Sequence, residues 1–266
     1  MLTTIVDFLY RDPADPVLLP LVASPRPVLG ILATYLLFVK VLGPWLMANR
    51  KPFDLRGLIR VYNVIQILFN IVMFILATHF MLGPGNFNFR CITNLPLDHE
   101  YKTLERWITY AYFANKLIDL IETIFFVLRK KDSQISFLHV FHHVYMLYIS
   151  FAYIYYHGYG GHGFFICYFN VIVHIIMYTY YYQSQTASES ERRDRLWWKK
   201  YITIVQLVQF VIILSHSIYT LNQPDCPTAR FSASAAGGVS VIFIILFINF
   251  YTHAYILSKK DERKVQ

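Results

Sequence analysis

Seven stretches of this chain hold the roughly 20 largely apolar residues that a helix needs to cross a hydrocarbon core. They cover about 27–47, 58–82, 106–128, 135–156, 160–183, 200–221 and 235–257 of its 266 residues. Backbone groups inside a bilayer must be satisfied within the segment itself, so each stretch is restricted to helix. Composition bears on what remains: 56% of the residues are hydrophobic and only 15% are charged, against about 25% charged in a soluble domain. So few charges cannot cover a water-facing surface, which excludes a soluble enzyme. The 22 Phe and 21 Tyr exclude disorder, and no basic run interleaved with aromatics offers a nucleic-acid groove. Pro44, Pro52, GPGN at 83–86, GYGGHG at 158–163 and NQPDCP at 222–227 punctuate the spans. With no internal repeat, low-complexity tract or long linker, residues 1–266 read as a single all-α membrane domain of seven transmembrane helices. The opening MLTTIVDFLYRDPADP lacks a basic region and a cleavage site, so no removable leader is expected.

Lys and Arg then orient the chain. One set of connections carries Arg50, Lys51, Arg56 and Arg60, then Arg129, Lys130 and Lys131, then Arg192, Arg193, Arg195, Lys199 and Lys200, then Lys259, Lys260, Arg263 and Lys264. The other side has six: Arg11, Arg26, Arg90, Lys102, Arg106 and Arg230. The N-terminus is therefore expected to be lumenal or extracellular and the C-terminus cytosolic. Cys91 and Cys226 both fall in connections on the non-cytosolic, oxidising side, so a disulfide between them is predicted. Cys167, inside the fifth span, reads as a small core residue.

Ionisable groups inside spans are costly and face a bundle interior or an aqueous space. Here they cluster. His139, His142 and His143 stand at i, i+3 and i+4, so they share one face of the fourth span. Asn170, His174, Tyr178 and Tyr181 do the same on the fifth. The third carries Lys116, Asp119, Glu122 and Thr123, the sixth Thr203, Gln206 and Gln209, and the second Asn63, Gln66 and Asn70. A helical rise of 1.5 Å per residue places the fourth-span histidines about 6–12 Å in from the cytosolic side and His174 about 13 Å in. Five spans thus hold polar groups at similar depth, and their lumenal halves are mostly Phe, Ile, Leu, Val and Tyr. The expected architecture is a polar chamber open to the cytosol, continued by an apolar tunnel, which suits an amphiphile with a charged head and a long hydrocarbon tail.

Each group also has a plainer use. Single Gln and Asn residues serve as interhelical hydrogen-bond partners, Lys116 and Asp119 can neutralise each other, and His216 and His253 read as structural. Three histidines on one face are harder to place that way. Imidazoles can bind metal, move protons or accept an acyl group. A di-iron oxygenase or desaturase would bring about eight ligands in three boxes; here there is one HxxHH box plus His174. A seven-helix receptor for an external ligand would place its polar cluster in the outer half, and a transporter would show repeats and broken helices.

LHVFHH at 138–143, HIIMYTYYY at 174–182, KLIDLIET at 116–123 and TIVQLVQF at 203–210 resemble, in this order, the boxes of the ELO family of very-long-chain fatty acid elongases. FFVLRKK at 125–131 and LWWKKY at 196–201 extend the resemblance over nearly the whole chain. One departure is visible: the family's third-span box reads KxxExxDT, whereas this chain has Asp119 and Glu122, exchanging the carboxylates and altering the reach of each by one methylene.

The resemblance implies a 3-oxoacyl-CoA synthase of the endoplasmic reticulum membrane that condenses a long acyl-CoA with malonyl-CoA. It needs no cofactor or metal. It implies that His142 accepts the acyl group, that His174 positions the malonyl thioester, and that His139 and His143 orient His142 and stabilise oxyanion charge. Lys116, Asp119, Glu122, Asn170, Tyr178, Tyr181, Gln206 and Gln209 are assigned to substrate binding, and Lys130, Lys131, Lys199 and Lys200 to CoA phosphates or to anionic lipid. The reductases and dehydratase of the elongation cycle are implied partners, and a homo-oligomer is left open. The C-terminal RKVQ faintly resembles a dilysine retrieval signal, with Arg263 in place of one Lys.

Overall fold

A computed structural model of the chain describes residues 12–85, 87–187, 191, 197–226 and 230–257. Residues 1–11, where no leader is expected, Arg192, Arg193 and Arg195, and the C-terminal Lys259, Lys260, Arg263 and Lys264 lie outside that set. The long helical segments are α1 (Pro25–Met47), α2 (Arg56–Leu82), α3 (Lys102–Leu128), α4 (Phe137–His157), α5 (His162–Thr186), α6 (Lys199–Leu221) and α7 (Arg230–Leu257), with no strand among the described residues. All but α3 are long and apolar enough to cross a membrane. With 27 residues α3 has the length, but it carries Lys102, Glu105, Arg106, Lys116, Asp119 and Glu122.

Two helices begin four or more residues earlier than apolarity predicts. α3 starts at Lys102 rather than 106, because Lys102 and Glu105 neutralise each other inside the protein and need not remain in a solvated loop. α7 starts at Arg230 rather than 235: Ser232, Ala233 and Ala236 have little hydropathy but are buried by packing. α4 starts at Phe137, two residues late, since Ser136 takes the N-cap and accepts a hydrogen bond from the His139 N–H at 3.2 Å.

The chain forms two compact units. The first comprises Met1–Asp54 and Asn94–Gly160. Its core joins Val28, Leu32, Tyr35 and Val39 of α1 to Phe113, Leu120 and Val127 of α3 and to Val140, Leu147, Phe151 and Ile154 of α4. Lipid is as apolar as these side chains, so close packing rather than expulsion from water holds them. α1 carries a π-turn at Phe38–Leu42, where the Gly43 N–H reaches back to the Phe38 carbonyl. Pro44 follows at once, and a proline inside a helix cannot donate to the preceding turn. Gly43 also lets α1 approach α3, since a Cβ there would run into Val127.

At the start of α3 the same unit holds a buried charge network. Arg106 donates to both Asp15 carboxylate oxygens at 3.0–3.1 Å. Lys102 donates to Glu105 at 2.7 Å and stands 3.9 Å from Asp15. Glu105 accepts in turn from the Leu95 N–H at 3.2 Å. Asp15, Lys102 and Glu105 are at most 3% exposed, so each charge depends on its partner. Gly160 (φ +96°) lies directly against the Glu105 carboxylate, where a Cβ would overlap it.

The second unit comprises Leu55–Thr93 and Gly161–Gln266. α2 packs on α5 and α6 on α7. Phe80, Phe87 and Phe164 stack around one end of the first pair, and Phe210, Phe243 and Phe247 line the second. Small residues let α6 and α7 approach: a Cβ on Gly237 would lie 3.4 Å from that of Ser217. Cys91, before α3, and Cys226, before α7, are joined by a disulfide. Beside it Arg90 donates twice to the Gln223 side-chain oxygen, at 3.0 and 3.3 Å.

Candidate active site

The first turns of α4 present the histidine box to α3. Glu122 and Thr123 of α3 stand i+6 and i+7 from Lys116, so all three lie on one side of that helix. His143 Nε2 stands 3.7 Å from the Glu122 carboxylate. His139 Nε2 lies 2.8 Å from the Thr123 hydroxyl, which is itself 2.8 Å from the Tyr35 hydroxyl of α1. The His139 and His143 rings are 4.3 Å apart between centroids, and His142 meets His143 edge-on at 5.7 Å. One turn back, Lys116 donates to Asp119 at 2.9 Å and lies over the Tyr112 ring, 4.8 Å from its centroid. Lys116, Asp119, Glu122 and Thr123 are all buried. Asp119 thus pairs with Lys116 within its own helix, and Glu122 reaches across to His143.

Glu122, His139 and His143 each bring one ligand atom within 4.8 Å of the others. Two imidazoles and a carboxylate form a set that zinc accepts. The His139 Nε2 atom, however, already has the Thr123 hydroxyl as its partner.

In the second unit, α5 carries His174, Tyr178 and Tyr181 at successive turns, with ring centroids 5.5 and 5.9 Å apart. His174, Tyr178 and Asn170 are at most 5% exposed. The Tyr178 hydroxyl lies 3.4 Å from that of Tyr62 on α2. Gln66 donates to the Tyr62 hydroxyl at 3.2 Å, and Asn70 donates to the Gln66 carbonyl at 2.7 Å. On α6, Thr203 and Gln209 are buried and Gln206 is half-buried. The four lysines assigned to phosphate have different surroundings. Lys130 donates to the Ala48 carbonyl at 3.2 Å, tying the end of α3 to that of α1. Lys200 covers its neighbour Tyr201, and Lys131 and Lys199 are exposed.

Comparison with known proteins gives this geometry its context. The profile of the GNS1/SUR4 family, abbreviated ELO, matches residues 20–263. The chain belongs to the ELO family. It is 51% identical over 252 residues to very long chain fatty acid elongase F of Drosophila melanogaster, covering 95% of this chain and 97% of that one. It is 38% identical to very long chain fatty acid elongase 7 of the same organism, covering 91% of this chain and 72% of the relative. To the human very long chain fatty acid elongase 4 it is 37% identical, at 91% and 76% coverage. A role in fatty acid elongation by a multi-pass membrane enzyme follows.

Within this ELO protein, the box residues and the third-span carboxylates come together in the first unit, and His174 with Tyr178 and Tyr181 in the second. Sequence reasoning passed over Tyr35 and Tyr62. Each is one aromatic among 21 tyrosines, and only its hydroxyl's partner, 88 residues from Tyr35 and 116 from Tyr62, sets it apart.

Proposed function

We propose that this ELO protein is a 3-oxoacyl-CoA synthase working by two half-reactions at the histidine box. In the first, a His142 ring nitrogen attacks the acyl-CoA thioester. The acyl–imidazole bond forms, the C–S bond breaks, and CoA leaves as the thiol with the imidazole proton. In the second, malonyl-CoA loses carbon dioxide, and the enolate carbon so formed attacks the acyl carbon. His142 leaves with its electron pair and takes up one proton from solvent, which restores the neutral imidazole, and the product is a 3-oxoacyl-CoA longer by two carbons. His139 and His143 steady the His142 ring and the developing oxyanion. His174 belongs to the same reading as the group that positions the malonyl thioester. Asn170, Tyr178, Tyr181, Gln206 and Gln209 are assigned to the pantetheine and thioester, and Lys130, Lys131, Lys199 and Lys200 to the CoA phosphates. No metal or cofactor is assigned to the reaction.

The observation that carries this reading is the ordering of the box. His143 faces the buried Glu122 and His139 the buried Thr123, in a chain whose relatives are named very long chain fatty acid elongases. By the same reading the protein makes seven spans in the endoplasmic reticulum membrane, α3 being the third, with the N-terminus lumenal and the C-terminus cytosolic. The Cys91–Cys226 disulfide, on the cation-poor side, supports that orientation. The apolar tunnel, the reductase and dehydratase partners and any homo-oligomer belong to the same proposal.

The test is incubation of purified protein with a C16 to C24 acyl-CoA in the absence of malonyl-CoA. Release of one CoA per enzyme, with an acyl mass adduct that His142→Ala abolishes, is the expected result. Enzyme that elongates with radiolabelled malonyl-CoA but gives neither release nor adduct would replace the acyl-imidazole with direct condensation in a ternary complex.

A further inference from the structure

The hydrogen-bond chain Tyr35–Thr123–His139 has a direction, and it sets which nitrogen of the His139 ring carries the proton. Thr34, Thr78, Thr109 and Thr179 each donate their hydroxyl to the carbonyl four residues back, the usual resort of a helical threonine. Thr123 does not: among the described residues its hydroxyl is paired only with the Tyr35 hydroxyl and His139 Nε2, both at 2.8 Å. The Tyr35 hydroxyl likewise has Thr123 as its one partner among the described residues. Thr123 is fully buried, and Tyr35 is 6% exposed.

Two directions are open to such a chain. If His139 Nε2–H donates to Thr123, one hydroxyl proton is left buried with no acceptor: the tyrosine's when the threonine donates to it, or the threonine's when its oxygen accepts from both. A buried unpaired donor is disfavoured by roughly 5- to 150-fold. If instead Tyr35 donates to Thr123 and Thr123 donates to Nε2, every donor is used. His139 then carries its proton on Nδ1. That atom has no protein partner among the described residues, yet it is not among the sealed, unpartnered atoms. It is a donor left free beside the box.

We propose that Tyr35 and Thr123 are positioning residues that lock His139 as the Nδ1–H tautomer, so that it can donate to the reacting thioester oxygen. This rests on the function proposed above. Neither residue need touch substrate: they act through the ring. Their separation along the chain makes the relay a tie between α1 and the box, which Ser136 secures through the His139 backbone.

The experiment uses the full chain in lipid nanodiscs, with two independent readouts. Imidazole nitrogen-15 spectra, with the His139 signal assigned by its loss in His139→Gln, should show a protonated Nδ1 in the wild type and a tautomer mixture in Tyr35→Phe. Condensation kinetics should show kcat lowered about tenfold in Thr123→Val, the worth of one net hydrogen bond, at unchanged acyl-CoA KM. A drop of about two- to fivefold is expected in Tyr35→Phe, because the threonine hydroxyl alone can donate or accept. Thr123→Ser should retain activity, and the double variant should be no slower than Thr123→Val. A wild-type ring protonated on Nε2, a Tyr35→Phe enzyme with wild-type kcat, or multiplicative losses in the double variant would overturn the relay. Wild-type protein that orders His139 as expected but does not condense malonyl-CoA would remove the functional reading and leave the tautomer assignment standing.

Discussion

Gly160→Ala is the substitution whose cost the structure defines most fully. Gly160 sits at φ +96°, a backbone conformation that L side chains rarely adopt, and holding an alanine there costs about 1–3 kcal/mol. Its Cβ would also overlap the Glu105 carboxylate. That carboxylate cannot withdraw without loosening its bonds to Lys102 at 2.7 Å and to the Leu95 N–H at 3.2 Å. Breaking one partner out of a buried ion pair costs about 3–5 kcal/mol. The terms overlap, since Glu105 will move only as far as the backbone fails to, so about 4 kcal/mol is a reasonable total. For a protein of this size that corresponds to a fall in unfolding temperature on the order of 10 °C. Thermal unfolding of purified protein in a fixed detergent measures it, with Gly57→Ala alongside. Gly57 lies in α2 with nothing within 4 Å of its missing Cβ, so alanine there should be neutral or slightly stabilising. A Gly160→Ala protein that unfolds within about 2 °C of the wild type would refute the idea that this network is packed too tightly to yield.

Three further outcomes follow from the structure. His142→Ala should fold at the wild-type temperature and lose elongation by at least about a hundredfold, as removal of a covalent catalyst requires; radiolabelled malonyl-CoA incorporation measures it. Cys91→Ser should lower the unfolding temperature of the second unit, since the disulfide closes a separation of 135 residues, a loop worth up to about 5 kcal/mol on chain entropy. Intact mass after alkylation without reductant should find Cys91 and Cys226 protected in the wild type. Gly237→Leu should push α7 away from Ser217 on α6 and destabilise the protein by about 1–3 kcal/mol, the cost of an overpacked interface; Gly238→Ala, with open space around it, is the control.

Much of this architecture is readable because a membrane imposes one rule along the whole chain. Apolar runs of span length located all the long helices. Their starts moved by four or more residues where burial is achieved without apolarity: by charge pairing at Lys102 and Glu105, and by small residues at Ser232 and Ala233. The box was legible for a similar reason, since polar residues at helical spacing inside apolar spans stand out. Spacing showed that Glu122 and His143 each share a face with chemistry-bearing neighbours. It could not show that Glu122 reaches His143 while Asp119 turns to Lys116, because that choice depends on one methylene and on the approach of two helices. Tyr35 was illegible altogether, its role resting on a single hydroxyl whose partner is distant in the chain. Lys130 was legible only as a cation in a basic run, suited to phosphate or anionic lipid; that it also donates to the Ala48 carbonyl at the end of α1 could not be read from spacing.

The Cys91–Cys226 bond also decides what is ring and what is thread. Both cysteines belong to the second unit, yet the loop they close contains the whole of Asn94–Gly160. The box and α3 are therefore a cassette carried inside a covalent circle that the other unit fastens. α1 stays outside it, joined to the cassette by packing and by hydrogen bonds such as Tyr35 to Thr123. During synthesis the chain emerges from its N-terminus, so every residue of the histidine-bearing unit has been made before Cys226 exists to close the circle. The unit that carries the box can thus assemble in an open chain, before the disulfide can form. The contacts Glu122–His143 and Thr123–His139 are thus made wholly by residues synthesised before Cys226, so in time and in chemistry the ordering of the box comes apart from the fastening of the circle.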